Sequence, residues 1–390
     1  MKTKRYFLRW IILILCLILS FGCSESDKGS EWTSTIETEQ GTKVIRNPDE
    51  PKYGDFVFDL EEDLVIGDAN DEYYFFYRVT DLKVDEDGNI YVCDGGNRRV
   101  LKYSNKGKYV RTIGRQGQGP GEYSFPSRLF LDDKGNLCVH GGRSFIYYDR
   151  DGNFQKQVKL KSFYSRILPG PKETFLGTTQ PNPRAEGGAK TSIVQIADNG
   201  ESLRTIDEYP VEYSKSKKAF VLHWYTHSIS VSKRNKDSFY YGFSKDYRIH
   251  AADNMGKTVL SFVKEEEPMF ISGEEKELTK ENGFFAAIGT NEPQEAMVFP
   301  AHRPFFSRFV TDDLGRLYVI RHRSILERDQ SIRFVDVFSQ DGFYLYRMKW
   351  PFVPSLVKGG FLYEVSENVE TGDVKIFRHK INNWQEFKEE

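Results

Sequence analysis

The chain has 390 residues, of which 39% are hydrophobic and 15% aromatic, so it carries enough apolar side chains to build a large folded core. Its 55 basic and 57 acidic residues give a formal net charge of -2 at pH 7, which provides no electrostatic basis for binding nucleic acid. Four cysteines in a chain of this length exclude a disulfide framework as the source of stability.

Residues 1–22 have the parts of a bacterial export signal. Basic residues lie within the first nine positions, and the apolar run 11–19 that follows is too short to span a bilayer comfortably. The sequence Ser-Phe-Gly-Cys at 20–23 resembles a lipobox, where cleavage precedes an acylated cysteine. The resemblance implies that Cys23 carries lipid such as palmitate and anchors the protein to a membrane. An ordinary signal peptide with a chance cysteine is the alternative.

The segment 23–50 follows the signal at once and begins with polar residues, which predicts a flexible tether ahead of a folded domain at 51–385. Of the cysteines, only Cys93 and Cys138 lie within that domain. They occupy neighbouring repeats but differ in strand register. We therefore predict two buried free thiols rather than a disulfide.

A turn-and-strand phrase recurs along the chain. It reads Asp-Glu-Asp-Gly-Asn-Ile-Tyr-Val at 85–92, and looser copies stand at 132–139 and 312–319. Each Asp ahead of a Gly is typical of turn chemistry, because Asp bonds its own backbone. A repeated unit of this length cannot bury its apolar face alone, so the copies must stack and share a core.

The pattern predicts four short strands in the first unit, at 80–84, 89–93, 99–103 and 108–113. Equivalent units begin near Ser127, Ser165, His227, Ser307 and Ser355, which makes six units.

The last unit runs out of chain before its fourth strand, and the stretch 56–66 can supply it. A ring closed in this way leaves no open edge between the first and last units. We therefore predict an all-β fold, a six-bladed β-propeller of four-stranded antiparallel blades closed by an N-terminal strand. A β-sandwich or an open solenoid is the alternative.

Two insertions interrupt the repeats. A Ser-x-x-Glu pattern at 272–275 and an Asn-Gly pair at 282–283 predict a short surface helix between units four and five. The Gly- and Pro-containing stretch 181–189 predicts a loop.

Two motifs carry a family resemblance. Asp-Gly-Gly-Asn-Arg-Arg-Val at 94–100 resembles an NHL repeat, and the run Gly-Gln-Gly-Pro-Gly-Glu at 117–122 resembles the hallmark of six-bladed β-propeller lipoproteins of Bacteroidota-type bacteria. The resemblance covers nearly the whole mature chain. It implies a location in the cell envelope, at the outer membrane, with the periplasmic and surface leaflets left open. It implies no settled activity, so no catalytic residues are transferred.

The loops that lead into the innermost strand of each unit, here called lead-in loops, share an aromatic and basic character. Arg128, Arg166 and Arg308 each follow a Ser at the same point of that strand, and Asp81 holds the matching place in unit one. Ring closure would bring these side chains toward one end of the central axis, the axial mouth. Several guanidiniums there would attract a carboxylate or phosphate through bidentate hydrogen bonds.

Other lead-in residues complete the candidate site: His227, His302, Tyr123 and Trp224. Aromatic faces there would contact a sugar ring or a partner side chain. A purely structural interpretation competes with this one. The arginines could pair with Asp81 or with carbonyls and hold blades together, while the aromatic rings fill the wedge between blades.

These observations favour a lipid-anchored binding or scaffold module whose ligand is a glycan, a peptide or a protein, with no cofactor and no metal. A metal-dependent envelope hydrolase or lyase is the alternative. Calcium would need several oxygen ligands near the axis, where only Asp81 is found. Zinc would need histidines such as His223, His227 and His302 to converge, and no closely spaced motif supports that.

Overall fold

The computed structural model describes residues 32–388 except 133, 172–173, 183–187, 212–221, 224, 283–296, 328 and 330. Six β-sheets, each with a core of four antiparallel strands, form the six blades of a propeller, so the predicted fold is confirmed. The signal, Cys23 and the start of the tether lie outside the described residues. Within the described ranges, no helix has the length and apolar character needed to cross a membrane.

The strands of each blade are given from the axis outward. Blade one contains Val79–Val84, Ile90–Asp94, Arg99–Tyr103 and Tyr109–Ile113; blade two contains Pro126–Leu131, Leu137–Gly141, Ser144–Tyr148 and Phe154–Lys159; blade three contains Arg166–Pro169, Phe175–Thr178, Lys190–Ile196 and Ser202–Pro210. Blade four contains Ile229–Asn235, Ser238–Phe243, Arg248–Asp253 and Thr258–Lys264; blade five contains Phe306–Thr311, Leu317–Arg321, Arg333–Phe338 and Tyr344–Trp350; blade six contains Leu356–Lys358, Phe361–Glu367, Val374–Ile381 and Leu60–Ile66.

The first strand of every blade contacts the first strands of both neighbouring blades, so these six strands surround the axis. Apolar side chains lie mainly between blades rather than within one. Leu82 and Val92 of blade one, for example, pack against Tyr363 and Val374 of blade six. Each blade thus completes its core only with its neighbours, as the repeat argument requires.

The recurring phrase forms the turn between the first and second strands. In blade one, Asp85 Oδ1 accepts hydrogen bonds from the backbone N–H of Asp87 and Asn89, and Gly88 adopts a φ of 80°. Asp132 and Asp312 make equivalent bonds. The series is turn chemistry, as predicted.

The N-terminal belt, residues 35–66, runs along the outer edges of three successive blades. Its hairpin Thr35–Glu39 and Thr42–Asn47 extends blade four, Asp55–Phe56 pairs with the outer strand of blade five, and Leu60–Ile66 pairs with Val374–Ile381 of blade six. The last pairing confirms the predicted closure. The prediction of a flexible tether up to residue 50 is wrong for residues 35–47, which form strands.

Asn47 fastens the belt between blades four and five. Its side chain is fully buried, and its amide donates hydrogen bonds to the carbonyls of Val263 (3.2 Å) and Gly342 (2.9 Å). Its carbonyl oxygen accepts the backbone N–H of Tyr344 at 2.9 Å. A buried polar side chain is stable here because its donor and acceptor groups are satisfied.

A buried charge cluster joins the same two blades. Asp336, with no exposed surface, accepts hydrogen bonds from the hydroxyls of Tyr247 and Tyr344, both at 2.6 Å, and lies 3.3 Å from the Lys264 ammonium. Burial alone would raise the pKa of Asp336, but the charges of Lys264 and Arg321 and the two tyrosine bonds outweigh it, so the pKa is lowered.

The single α-helix of the described residues, Gly273–Asn282, confirms the predicted helix. It begins after Ser272, whose hydroxyl accepts the backbone N–H of Glu275 at 3.1 Å. Cys93 and Cys138 are buried free thiols, as predicted, and burial raises the pKa of Cys93 to about 12.

Candidate functional site

The serine that precedes each arginine has a structural task. The hydroxyls of Ser127, Ser165 and Ser307 donate to the backbone carbonyls opposite them on the second strand, at 3.3, 2.9 and 3.3 Å. Thr80 makes the same bond in blade one at 3.3 Å. In these four blades the bonds place the following residue, Asp or Arg, at the same point of the innermost strand.

Asp81 and Arg128 link blades one and two. Asp81 Oδ2 accepts the backbone N–H of Leu129 at 2.8 Å, and Arg128 Nη1 donates to the carbonyl of Thr80 at 2.8 Å. Asp81 Oδ1 is also 2.8 Å from the Lys83 ammonium. Both Asp81 and Arg128 therefore hold neighbouring blades together, as the structural interpretation predicted.

Arg166 and Arg308 differ from Arg128, because neither makes a hydrogen bond or an ion pair with any residue that the structure describes. Both contact solvent in the axial channel, but protein surrounds them closely enough that burial lowers the pKa of each guanidinium. The positive charge of Arg128 lowers both further, while Asp81 partly offsets the effect at Arg308. The four charged side chains thus share one electrostatic environment.

The histidines near the mouth are held in different ways. His140 lies with Nδ1 2.9 Å from the Ser127 hydroxyl, and burial together with the charge of Arg128 lowers its pKa to about 4, so it is neutral at pH 7. The rings of His227 and His302 lie 5.0 Å apart, and His302 Nδ1 is 3.1 Å from the carbonyl of Arg303.

One predicted site residue, Tyr123, lies away from the mouth. Tyr123 has 1% exposure, and its hydroxyl donates to the Ile113 carbonyl at 2.7 Å and accepts the Val100 N–H at 2.9 Å. Its assignment to the mouth is wrong, because Tyr123 fills the wedge between blades one and two. Trp224 lies outside the described residues, and so do the side chain of His223 and Cys23, the predicted lipidation site.

No group of three or more His, Cys, Asp or Glu side chains among the described residues is arranged to hold a metal ion. His227 and His302 are neighbours, but the part of the chain with placed side chains supplies no third ligand beside them.

The sequence analysis missed a buried polar cluster beneath the helix. Glu275 has 1% exposure, and its Oε1 accepts hydrogen bonds from the hydroxyls of Ser324 (2.6 Å) and Tyr225 (3.0 Å). Tyr225 has a φ of 54°, an uncommon conformation for a residue other than glycine, and its ring contacts His322. The Ser-x-x-Glu pattern predicted only the start of a helix. The partners of Glu275 come from blades four and five and could not be inferred from it.

The lead-in aromatic residues divide into two groups. Phe125 and Phe163, three residues before Arg128 and Arg166, are 37% and 63% exposed, and Tyr77 in blade one is 67% exposed. Phe305 holds the same place before Arg308 but is 7% exposed, because it packs against Tyr247 and His302. The exposed rings Tyr77, Phe125 and Phe163, here called the aromatic arc, all belong to blades one to three.

Comparison with known proteins agrees with this architecture. A family model described as a six-bladed β-propeller matches residues 72–183, from the lead-in loop of blade one into blade three. The predicted resemblance to six-bladed propellers is confirmed. No curated protein matches the sequence.

Solved structures extend the likeness to most of the chain. A Bacteroides fragilis protein described as exported has 13% identity, a TM-score of 0.51, and coverage of 86% of this chain and 99% of its own. A DUF4221 family member from Bacteroides vulgatus has 11% identity, a TM-score of 0.48 and coverage of 83% and 98%. At such identity the first match shows a shared fold and nothing about activity.

Proposed function

We propose that this protein is a binding module whose axial mouth takes a ligand bearing carboxylate or phosphate groups. The observation that carries the proposal is the pair Arg166 and Arg308, which make no hydrogen bond or ion pair with any described residue and whose guanidinium pKa values are lowered. Arginine remains protonated at neutral pH, so the positive charges persist in a confined channel. An anion would supply the missing partners through charge-assisted hydrogen bonds.

The division of labour among the arginines supports this function. Arg128 is engaged with the backbone of blade one, so it fixes the geometry of the mouth. Arg166 and Arg308 repel Arg128 and are partly desolvated, which costs stability in the free protein. Groups that reduce the stability of the free protein while facing solvent are typical of binding sites.

The mature protein is, in this proposal, anchored in the bacterial cell envelope, at the outer membrane, through lipid on Cys23. The basic and apolar start of the chain and the cysteine after Ser-Phe-Gly support the proposal. Cys23→Ser is expected to release the protein from the membrane fraction, and mass spectrometry of the mature N-terminus is expected to find acyl chains. A membrane-bound Cys23→Ser protein without acylation would contradict lipid anchoring.

The anion site is tested with citrate and inorganic phosphate as probes. We expect at least one of them to raise the thermal midpoint of the wild type, with an effect that weakens as sodium chloride is added. Arg166→Ala combined with Arg308→Ala removes the response, whereas Arg150→Ala, a change on the solvent-exposed rim, keeps it. Without ligand, the double variant is at least as stable as the wild type.

An equal response in the wild type and the double variant would contradict the proposal. So would a double variant that is markedly less stable without ligand, because the arginines would then have a structural role. Stoichiometric zinc or calcium in the purified mature protein would instead favour a metal-dependent hydrolase or lyase.

A further inference from the structure

We propose that the anionic ligand is an acidic glycan, a chain of uronic acid residues whose carboxylates bind the arginines while its sugar rings contact the aromatic arc. This inference rests on the proposed anion site and names its ligand class. It assigns a role to the exposed surface of Tyr77, Phe125 and Phe163, which packing within the propeller does not use.

The exposure of the arc is the first argument. Phe125, Phe163 and Phe305 occupy the same position before an arginine in three blades, but only Phe305 is covered. A single exposed aromatic residue is ordinary on a protein surface. Exposed rings on the lead-in loops of three neighbouring blades, with Phe125 and Phe163 at the same position and Tyr77 one residue earlier in its loop, form a surface feature that a ligand can use.

The loops that carry the rings are fixed before any ligand arrives. The carbonyl of Phe125 accepts the N–H of Gly142 at 3.0 Å, and the carbonyl of Arg78 accepts the N–H of Gly96 at 3.3 Å. Asp94, fully buried, accepts the backbone N–H of Tyr77 at 3.3 Å and of Arg78 at 3.2 Å. Such a surface loses little conformational entropy on binding.

Close approach in blade one depends on glycine. A Cβ at Gly96 would lie 2.4 Å from Cδ1 of Tyr77 and 2.8 Å from the backbone nitrogen of Arg78. The Gly95-Gly96 pair after the second strand therefore allows the lead-in loop to pack against the backbone at this point, and this packing fixes the position of Tyr77. The position of this ring is a built feature of the fold.

The chemistry of the surface favours a sugar over an apolar protein segment. The Arg78 guanidinium lies 5.4 Å from the centre of the Phe125 ring, so a cation contacts one ring of the arc. A sugar ring presents C–H groups on its faces and polar groups at its edge, and a uronic acid adds a carboxylate to that edge. Flat aromatic faces beside unpaired guanidiniums match this pattern.

The experiment measures binding of mature protein to oligogalacturonate and hyaluronan hexasaccharides by calorimetry. Each has a matched control in which the carboxylates are reduced to alcohols. We expect one acidic hexasaccharide to bind, and its reduced form to bind at least tenfold more weakly. Tyr77→Ala and Phe163→Ala each weaken binding roughly tenfold. Neither change alters the response to citrate or phosphate.

Phe154→Ala is the matched control variant, because Phe154 is 39% exposed but lies on the outer strand of blade two. It is expected to bind the hexasaccharide as the wild type does. If citrate or phosphate binds but neither hexasaccharide does, the glycan inference is wrong and the anion site stands. If nothing binds, both are wrong. Equal binding of the reduced glycan, or unchanged binding by both arc variants, also overturns the inference.

Discussion

Blades four, five and six differ from blades one, two and three both at the rim and at the mouth. The N-terminal belt adds strands beyond the four of blades four and five and supplies the outer strand of blade six, whereas blades one to three contain only strands of their own repeat among the described residues. On the lead-in loops, Phe305 of blade five is buried, while Tyr77, Phe125 and Phe163 of blades one to three are exposed. The same repeat therefore serves a closed, structural half and an open half that is suited to binding.

The open edges carry their own protection against pairing with another chain. The outer strand of blade three, Ser202–Pro210, contains charged residues and ends at a proline, which cannot donate a ladder hydrogen bond. The outer strand of blade two, Phe154–Lys159, carries two lysines. The outer edges of blades four and five are thus protected by a covering strand, and those of blades two and three by charged residues.

Removing the belt tests the closed half most severely. A chain that begins at residue 68 lacks Leu60–Ile66, the outer strand of blade six, and we expect no cooperative unfolding transition. A chain that begins at residue 50 keeps that strand but loses the hairpin and Asn47, so it is expected to fold with a lower thermal midpoint. Circular dichroism melts measure both. A wild-type midpoint for the chain from residue 68 would contradict ring closure by this strand.

Asp336→Asn disrupts the charge cluster between blades four and five. Lys264 would keep Glu266 at 2.8 Å and Asp49 at 3.1 Å but lose the carboxylate at 3.3 Å, and we expect a loss of about 1–3 kcal/mol in the free energy of unfolding, measured with urea. Because the folded pKa of Asp336 is lowered, its contribution is present above the unfolded pKa of about 3.9 and is lost as the pH falls further. The variant should therefore show a flatter loss of stability in acid. A change below 1 kcal/mol would contradict this role.

Gly96→Ala tests how firmly the open half holds its aromatic arc. The added methyl group displaces Tyr77 or the backbone at Arg78, and we expect a loss of about 1–3 kcal/mol in the free energy of unfolding, with weaker glycan binding. Gly273→Ala is the control, because a Cβ there meets nothing within 4 Å. Equal stability of both variants would show that the loop yields without cost.

A surface ion pair between blades two and three should matter least. Lys156 and Asp198 approach to 2.6 Å, but about half of each side chain is exposed. We expect Lys156→Ala to change the free energy of unfolding by less than about 1 kcal/mol. A double-mutant cycle with Asp198→Ala isolates the pair, and a coupling energy above about 2 kcal/mol would show that the open rim is more tightly joined than its exposure indicates.

The recurring phrase predicted the blades because it is spaced regularly along the sequence. The same spacing showed that the last unit lacks a strand, which predicted ring closure by the N-terminal strand. Residues 35–47 left none: the first strand, Thr35–Glu39, is almost entirely exposed, and Asn47 is a polar residue in a buried place. A local sequence pattern cannot predict that Asn47 forms hydrogen bonds with Gly342 and Tyr344.

The candidate site was predictable in its register but not in its exposure. The Ser-Arg repeat identified the arginines. Phe125 and Phe305, however, each stand three residues before an arginine of this repeat and differ in burial. Tyr247 and His302, distant in sequence from one another, decide that difference. Tyr123 looked like a mouth residue for the same reason, until its hydroxyl partners in blade one were known.

The belt also dictates the order in which the protein can acquire its structure. The backbone N–H of Asp59 donates a hydrogen bond to the side chain of Asn383, which lies 324 positions later in the chain. The belt is therefore synthesised early, but some of its partners are synthesised only at the end. Contacts of such separation form slowly, and unpaired strands are prone to aggregate meanwhile. The ring of blades therefore closes only after the C-terminal strands have been synthesised. We expect the N-terminal strands of a nascent chain to remain unpaired until then.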